Sequence, residues 1–246
     1  MEAFTDAINA LIPLKHRVDM LHPALEKSYP IVVLQDEQLF IYDVDQGKYR
    51  FIKDVSVPMP MPQGVRAAFQ LQDYDGRIAC VVSSDVFDSQ EGYVTLLHEF
   101  VHCYQYETCE QTLKMTLDIA QKAMEVDDFM WEINYPFPYT GRDFIRPYGH
   151  FMEALAAGDM VGVRDSRNQL KAYLCLHDFE YMIWQEWKEG FARWVENRIK
   201  HLLQMAENTR GAQLPYDRVV FYAGGAALVE FLATHEPACV QNLPRL

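Results

Sequence analysis

The pattern of apolar residues changes at Ser89, and this change constrains the fold more than any other feature of the sequence. Before it, short β-branched and aromatic runs occupy residues 31–34, 39–42, 48–57 and 77–82, separated by turn-forming residues. Such runs are typical of strands, and the four polar residues between the first two runs predict a hairpin loop. The sequence therefore predicts a small antiparallel sheet in the N-terminal part of the chain.

After Ser89, apolar residues recur at helical spacing almost to the end of the chain. Helices are expected at residues 90–106, 110–124, 143–157, about 164–174, 179–205 and 216–233, and two short helices within 4–27. Because strands precede helices, the predicted fold class is α+β. We expect one domain over residues 1–246, with an α/β lobe at about 1–107 and a helical lobe at about 108–246.

Composition disfavours several kinds of partner. Acidic residues outnumber basic ones by 35 to 22, so the net charge is -13 and binding to nucleic-acid phosphates is unfavourable. The N-terminus has neither the basic start nor the apolar run of a secretory signal, and the apolar stretches are too short to span a bilayer. The five cysteines are scattered, as in proteins with reduced thiols. We expect a cytoplasmic protein with no nucleic-acid or membrane partner.

A His-Glu-x-x-His motif lies in the first long predicted helix, at His98, Glu99 and His102. Residues four apart share one face of a helix, so the two imidazoles can bind one zinc ion. Glu99 lies next to this pair and can take a proton from the attacking water. Apolar residues flank the motif on both sides, which is unusual for three polar residues on a surface helix. The alternative is a half-buried helix whose histidines make ordinary hydrogen bonds.

A catalytic zinc ion needs a third protein ligand. One subclass continues the motif with Gly and a third His, but Gln105 and Thr108 occupy those positions here. A later segment, Trp-Lys-Glu-Gly-Phe-Ala-Arg-Trp-Val-Glu at 187–196, offers Glu189 and Glu196 seven residues apart, on a face that Glu186 shares. The alternative for these charges is a solvated helix face with ion pairs.

The segment Glu-Gly-Phe-Ala at 189–192, followed by an aromatic residue and a second Glu, resembles the signature of gluzincin metallopeptidases, notably the aminopeptidase and leukotriene-hydrolase group. The resemblance covers two short segments. It implies a thermolysin-like core, a Zn²⁺ cofactor, a peptide or protein substrate, and Glu189 as the third ligand beside His98 and His102. The Gly-x-Met-Glu-Asn strand that marks exopeptidases in that group is not found before the zinc helix, so the choice between endo- and exopeptidase stays open.

Gluzincins commonly use a Tyr or His to stabilise the oxyanion of the tetrahedral intermediate. Tyr222 lies in a Tyr-x-x-Gly stretch that resembles the family's, and its Gly-Gly pair predicts a close helix contact; His150 and His177 are the alternatives. Glu196 is the candidate to hold the second ring nitrogen of a zinc-bound histidine.

The resulting hypothesis is zinc-dependent hydrolysis of peptide bonds, in which Glu99 is the base. The resemblance to gluzincins implies in addition that the substrate runs along an edge strand, at residues 77–82. Peptide deformylases also carry the motif, but Cys80 lacks the sequence around their cysteine ligand. The alternative from another class is a non-catalytic binding or scaffolding module that retains the fold.

Overall fold

The computed structural model describes residues 4–57, 61–62 and 64–246. Contacts divide the chain into two compact units, of which the first comprises Met1–Thr108 and Val195–Glu207 and the second Cys109–Trp194 and Asn208–Leu246. The expectation of a single domain over 1–246 stays a prediction. The fold class is α+β, with the sheet near the N-terminus and mostly helices after it.

A five-stranded sheet forms the middle of the first unit. Its strands are β1 (Ile31–Gln35), β2 (Gln38–Asp45), β3 (Lys48–Ser56), β4 (Arg66–Leu71) and β5 (Arg77–Ser83). Their order in space is β3-β2-β1-β5-β4, and β1 runs parallel to β5 while the other pairs are antiparallel. The prediction of an antiparallel sheet is therefore wrong at its centre, where the chain leaves β1 and returns alongside it as β5.

Two further expectations about the sheet need correction. The strand at Arg77–Ser83 is not an edge strand, because β4 pairs with its outer side and takes the edge position. The first hairpin has two loop residues rather than four: Asp36 and Glu37 take positive φ angles of 50° and 59°. Two such residues form the tight turn that matches the twist of paired strands.

The helix that carries the His-Glu-x-x-His motif is α3 (Gln90–Gln105), preceded in the chain by α1 (Thr5–Asn9) and α2 (Leu11–Val18). Ser89 caps α3, since its Oγ accepts a hydrogen bond of 3.1 Å from the backbone N–H of Gly92. The apolar face of α3 is fully buried: Leu96, Leu97, Phe100 and Val101. Burying each such side chain contributes about 1.5–3 kcal/mol, which fixes the helix beside β4 and β5.

The second unit is helical. Its helices are α4 (Gln111–Lys114), α5 (Asp118–Glu125), α6 (Trp131–Asn134), α7 (Arg142–Ala157), α8 (Met160–Tyr173), α9 (Leu176–Gln185), α11 (Val220–His235) and α12 (Pro237–Val240), while α10 (Phe191–Leu202) crosses the unit boundary. Aromatic side chains from α7, α9, α11 and the loop before α7 form its core, among them Phe137, Phe144, Tyr148, Tyr181 and Phe221. Their ring centroids are 4.8–6.0 Å apart, at the spacing of attractive aromatic pairs.

Two π-helical segments interrupt otherwise continuous helices. The first, Tyr106–Glu110, joins α3 to α4, so the break that was predicted between helices near residue 107 is absent. The helix predicted at 110–124 is instead interrupted between α4 and α5. The second, Glu186–Gly190, joins α9 to α10 and contains Glu189. Single π turns are rare and occur often at functional sites, and the second of these two segments carries a candidate metal ligand. No helix in the described part of the chain is long and apolar enough to cross a membrane.

Candidate metal centre

His98 and His102 project from one face of α3, one turn apart, as the motif predicts. Each is only 7% exposed, and their Nε2 atoms are 3.2 Å apart. Two nitrogens bound tetrahedrally to one zinc ion at 2.0–2.1 Å would lie about 3.4 Å from each other. The pair therefore has the spacing that a shared metal ion requires.

The other ring nitrogens are held by acceptors, which decides where the protons are. The Nδ1 atom of His98 donates to Oε2 of Glu196 at 3.0 Å, and that of His102 donates to Oε1 of Gln105 at 2.8 Å. In neutral imidazoles bonded in this way, both Nε2 atoms carry lone pairs rather than protons. A metal ion beside these two atoms would accept both lone pairs, and metal-binding histidines hold their second ring nitrogen in this way.

Glu189 completes a group of three possible ligands. His98, His102 and Glu189 each offer one ligand atom, and these atoms lie within 4.8 Å of one another. Glu189 is partly buried, and its Oε1 atom is 3.7 Å from Nη1 of Arg218. A carboxylate has two oxygens and can accept from a guanidinium with one while it binds a metal with the other. The three residues therefore fit a divalent cation, although their chemistry alone does not identify zinc.

The segment that carries Glu189 is fixed by a close contact with α11. A Cβ atom added to Gly190 would lie 2.4 Å from the Cα atom of Gly225, and one added to Gly225 would lie 2.3 Å from the carbonyl oxygen of Glu186. Only glycines permit this approach of two backbones. The close helix contact predicted from the Gly-Gly pair is therefore confirmed. It holds the π turn, and with it the backbone of Glu189, against α11.

Lys188 holds the same segment from its other side. Its Nζ atom bonds to Glu110 at 2.8 Å and to Glu132 at 2.9 Å. Burial acts to raise the pKa of Glu132, but the positive charges of Lys188 and Lys114 outweigh burial and bring that pKa down to about 2. The lysine before Glu189 is thus part of a buried ion cluster that anchors the π turn, and breaking such a cluster is costly.

Glu99 lies in the buried part of α3 and is 6% exposed. Burial raises the pKa of the Cys80 thiol in β5, and the negative charge of Glu99 raises it further. The same two causes raise the pKa of Cys103. Neither thiol therefore becomes a thiolate at neutral pH.

Tyr222 is half-buried in α11, and two cations lie close to its ring. The guanidinium carbons of Arg193 and Arg218 each lie 5.3 Å from the centre of its ring. Arg218 is also the residue beside Glu189, so Tyr222 belongs to the group of side chains around the third candidate ligand. Arg218 was not predicted from the sequence, because it precedes α11 in a segment with no motif. Gln105 was noted only because it excludes the subclass of peptidases whose third ligand is a later histidine.

The alternative site residues have other partners. Glu186 is 3% exposed and accepts hydrogen bonds of 2.8 Å from Tyr148 and from Arg167. His177 bonds to Asp118 at 2.6 Å. His150 is exposed on α7. Glu196 was the candidate to hold the second ring nitrogen of a zinc-bound histidine, and it contacts Nδ1 of His98.

No protein-family model, curated protein or solved structure matches this chain. The assignment of the site therefore depends on the geometry of its own side chains.

Proposed function

We propose that this protein is a zinc-dependent peptidase whose metal ion is bound by His98, His102 and Glu189. The observation that carries the proposal is the pair of Nε2 atoms 3.2 Å apart, each on a ring whose Nδ1 atom is held by an acceptor. The nearby ligand atom of Glu189 supplies the one carboxylate that a two-histidine catalytic site requires.

Zinc is the metal that suits this donor set best. Two imidazoles and one carboxylate are borderline ligands that leave an open fourth position in a tetrahedron, whereas magnesium and calcium favour oxygen ligands. A zinc ion bound there supplies a Lewis acid, which polarises the scissile carbonyl and makes a water acidic at neutral pH.

The remaining steps belong to the side chains. Glu99 takes the proton from the attacking water and passes it to the leaving amine. Its buried position keeps bulk water from competing for that proton. Tyr222 donates a hydrogen bond to the oxyanion, and the guanidinium groups of Arg193 and Arg218 add positive charge on either side of it.

The substrate in this proposal binds along β4. This strand lies at the sheet edge and contacts α3, so its outer backbone groups can pair with an extended peptide. It replaces Arg77–Ser83, the strand to which the sequence assigned this role, because β5 has partners on both sides.

The test is hydrolysis of a peptide library by zinc-loaded wild-type protein and by Glu99→Gln. We expect the variant to keep about one zinc ion per chain and to lose activity by about 10²–10⁴-fold, the usual contribution of a general base. The matched control is Glu125→Gln, an exposed carboxylate at the end of α5, which should retain wild-type activity. Equal behaviour of wild type and Glu99→Gln on every substrate would contradict the proposal and favour a non-catalytic binding module.

A further inference from the structure

Helices α7 and α8 form an open groove of about 600 Å³ within the second unit. Ligand pockets in proteins typically measure 300–1,000 Å³, so the groove is large enough for a small molecule or a short peptide. The residues that line it are Arg142, Asp143, Ile145, Arg146, Pro147, His150, Gln169 and Tyr173. None of them belongs to the candidate metal centre.

A stripe of two arginines and a histidine runs along this groove. Arg142, Arg146 and His150 occur at every fourth position of α7 and so lie on one face of the helix. All three are exposed. Among the residues that the structure describes, their side chains take part in no hydrogen bond or ion pair. Asp143 is the one acidic residue among those that line the groove.

Some surface cations of this chain are paired. Arg66 bonds to Asp85 at 2.7 Å, and Lys27 bonds to Glu107 at 2.6 Å. Such pairing is expected in a chain with 35 acidic and 22 basic residues. The two arginines of the stripe have no such carboxylate partner, and they lie along a groove, so they are available to an external anion.

The spacing of the stripe fits an extended peptide. Residues four apart on a helix rise about 6 Å along its axis, whereas alternate residues of an extended strand are about 6.7 Å apart and point the same way. Carboxylates at alternate positions of a peptide can therefore meet Arg142, Arg146 and His150 in turn. The residues between them can contact Ile145 and Tyr173, the latter 58% exposed.

We propose that this groove binds an extended segment of a partner protein with acidic residues at alternate positions. An acidic peptide fits better than a nucleic acid because the net charge of -13 repels a long polyanion. The proposal is independent of the metal centre and of peptidase activity, since no residue is shared between the two sites.

The test is fluorescence anisotropy at low salt with three labelled nonapeptides, which carry glutamates at alternate positions, the same glutamates in one block, or lysines at alternate positions. We expect the first peptide to bind the wild type at least about tenfold more tightly than the second, because only it matches the spacing of the stripe, and the third not to bind. Arg146→Glu and Arg142→Glu should each weaken binding of the first peptide at least about tenfold.

The matched control is Arg164→Glu, which makes the same charge change at an exposed position of α8 outside the groove. It should weaken binding clearly less than Arg142→Glu and Arg146→Glu do, because it makes the same change in net charge without removing a residue that contacts the peptide. The thermal midpoint measured on all variants shows that they remain folded. The proposal would be overturned if the first peptide did not bind, if the block peptide bound equally well, or if the control weakened binding as much as the groove variants do. Polyphosphate is tested as a competitor, and tighter binding of polyphosphate than of the first peptide would also overturn the proposal and assign the groove to a phosphorylated ligand.

Discussion

Substitution of Glu196 by Gln should weaken zinc binding although Glu196 is not a ligand. Its Oε2 atom is 3.0 Å from Nδ1 of His98, so adding the width of the ring and a zinc–nitrogen bond puts the carboxylate about 7 Å from a bound ion. Zinc bound to the Glu189 carboxylate has a net charge of +1, and this charge and the Glu196 carboxylate interact at that distance by about 2.4 kcal/mol at an effective dielectric constant of 20. Lys200, 3.6 Å from the other oxygen, offsets part of this attraction. We therefore expect a loss of about 1.4–2 kcal/mol, or roughly 10- to 30-fold in affinity, within the range known for such partners.

The assay is competition for zinc with a chromophoric chelator at pH 7.5, with wild type, Glu196→Gln and Glu91→Gln compared. Glu91 bonds to Lys200 and ends the same chain of charges, but its side chain is 54% exposed. Its removal should change zinc affinity by less than about threefold, because exposed ion pairs contribute at most about 1 kcal/mol. The electrostatic role of Glu196 would be refuted if Glu196→Gln bound zinc within twofold of the wild type, or if both variants lost zinc affinity equally.

Two further predictions concern the support of the site. Gly225→Ala should destabilise the protein by about 1–3 kcal/mol or more in urea unfolding, because the added methyl would lie 2.3 Å from the carbonyl oxygen of Glu186. The control is Gly149→Ala, whose added methyl would lie 3.9 Å from its nearest neighbour. This control should leave stability unchanged or raise it by up to about 1 kcal/mol. Glu132, whose pKa in the folded protein is lowered from 4.5 to about 2, should stabilise the fold above pH 4.5, and this contribution should vanish as the pH falls through 2. The difference in unfolding free energy between wild type and Glu132→Gln should thus be on the order of 3 kcal/mol at neutral pH and shrink towards pH 2; a difference that does not change with pH would contradict the assigned pKa.

The parts of the fold that the sequence predicts are those with local causes. The strands predicted at 31–34, 39–42, 48–57 and 77–82 are all found, because short apolar runs and turn residues act over a few positions. β4 was missed because its sequence, Arg-Ala-Ala-Phe-Gln-Leu, lacks a clear alternation of apolar and polar residues. The parallel pairing of β1 with β5 depends on contacts between distant segments, which no local pattern encodes.

The same distinction applies to the site. The spacing of His98 and His102 is a property of any helix, so their common face follows from the sequence alone. The roles of Gln105 and Arg218 depend on which side chains the folded chain brings beside His102 and Glu189, and residue type gives no signal of that. The two π turns were likewise not predicted, because an extra residue in a helical turn has no sequence signature.

The most direct test of the account is the zinc content of the purified protein, measured by elemental mass spectrometry without a metal-binding tag. The account predicts about one zinc ion per chain in the wild type and in the control Glu125→Ala, and a sharp reduction in Glu189→Ala. Absence of stoichiometric zinc from the wild type after zinc is supplied, or full retention of zinc by Glu189→Ala, would contradict the three-residue metal centre.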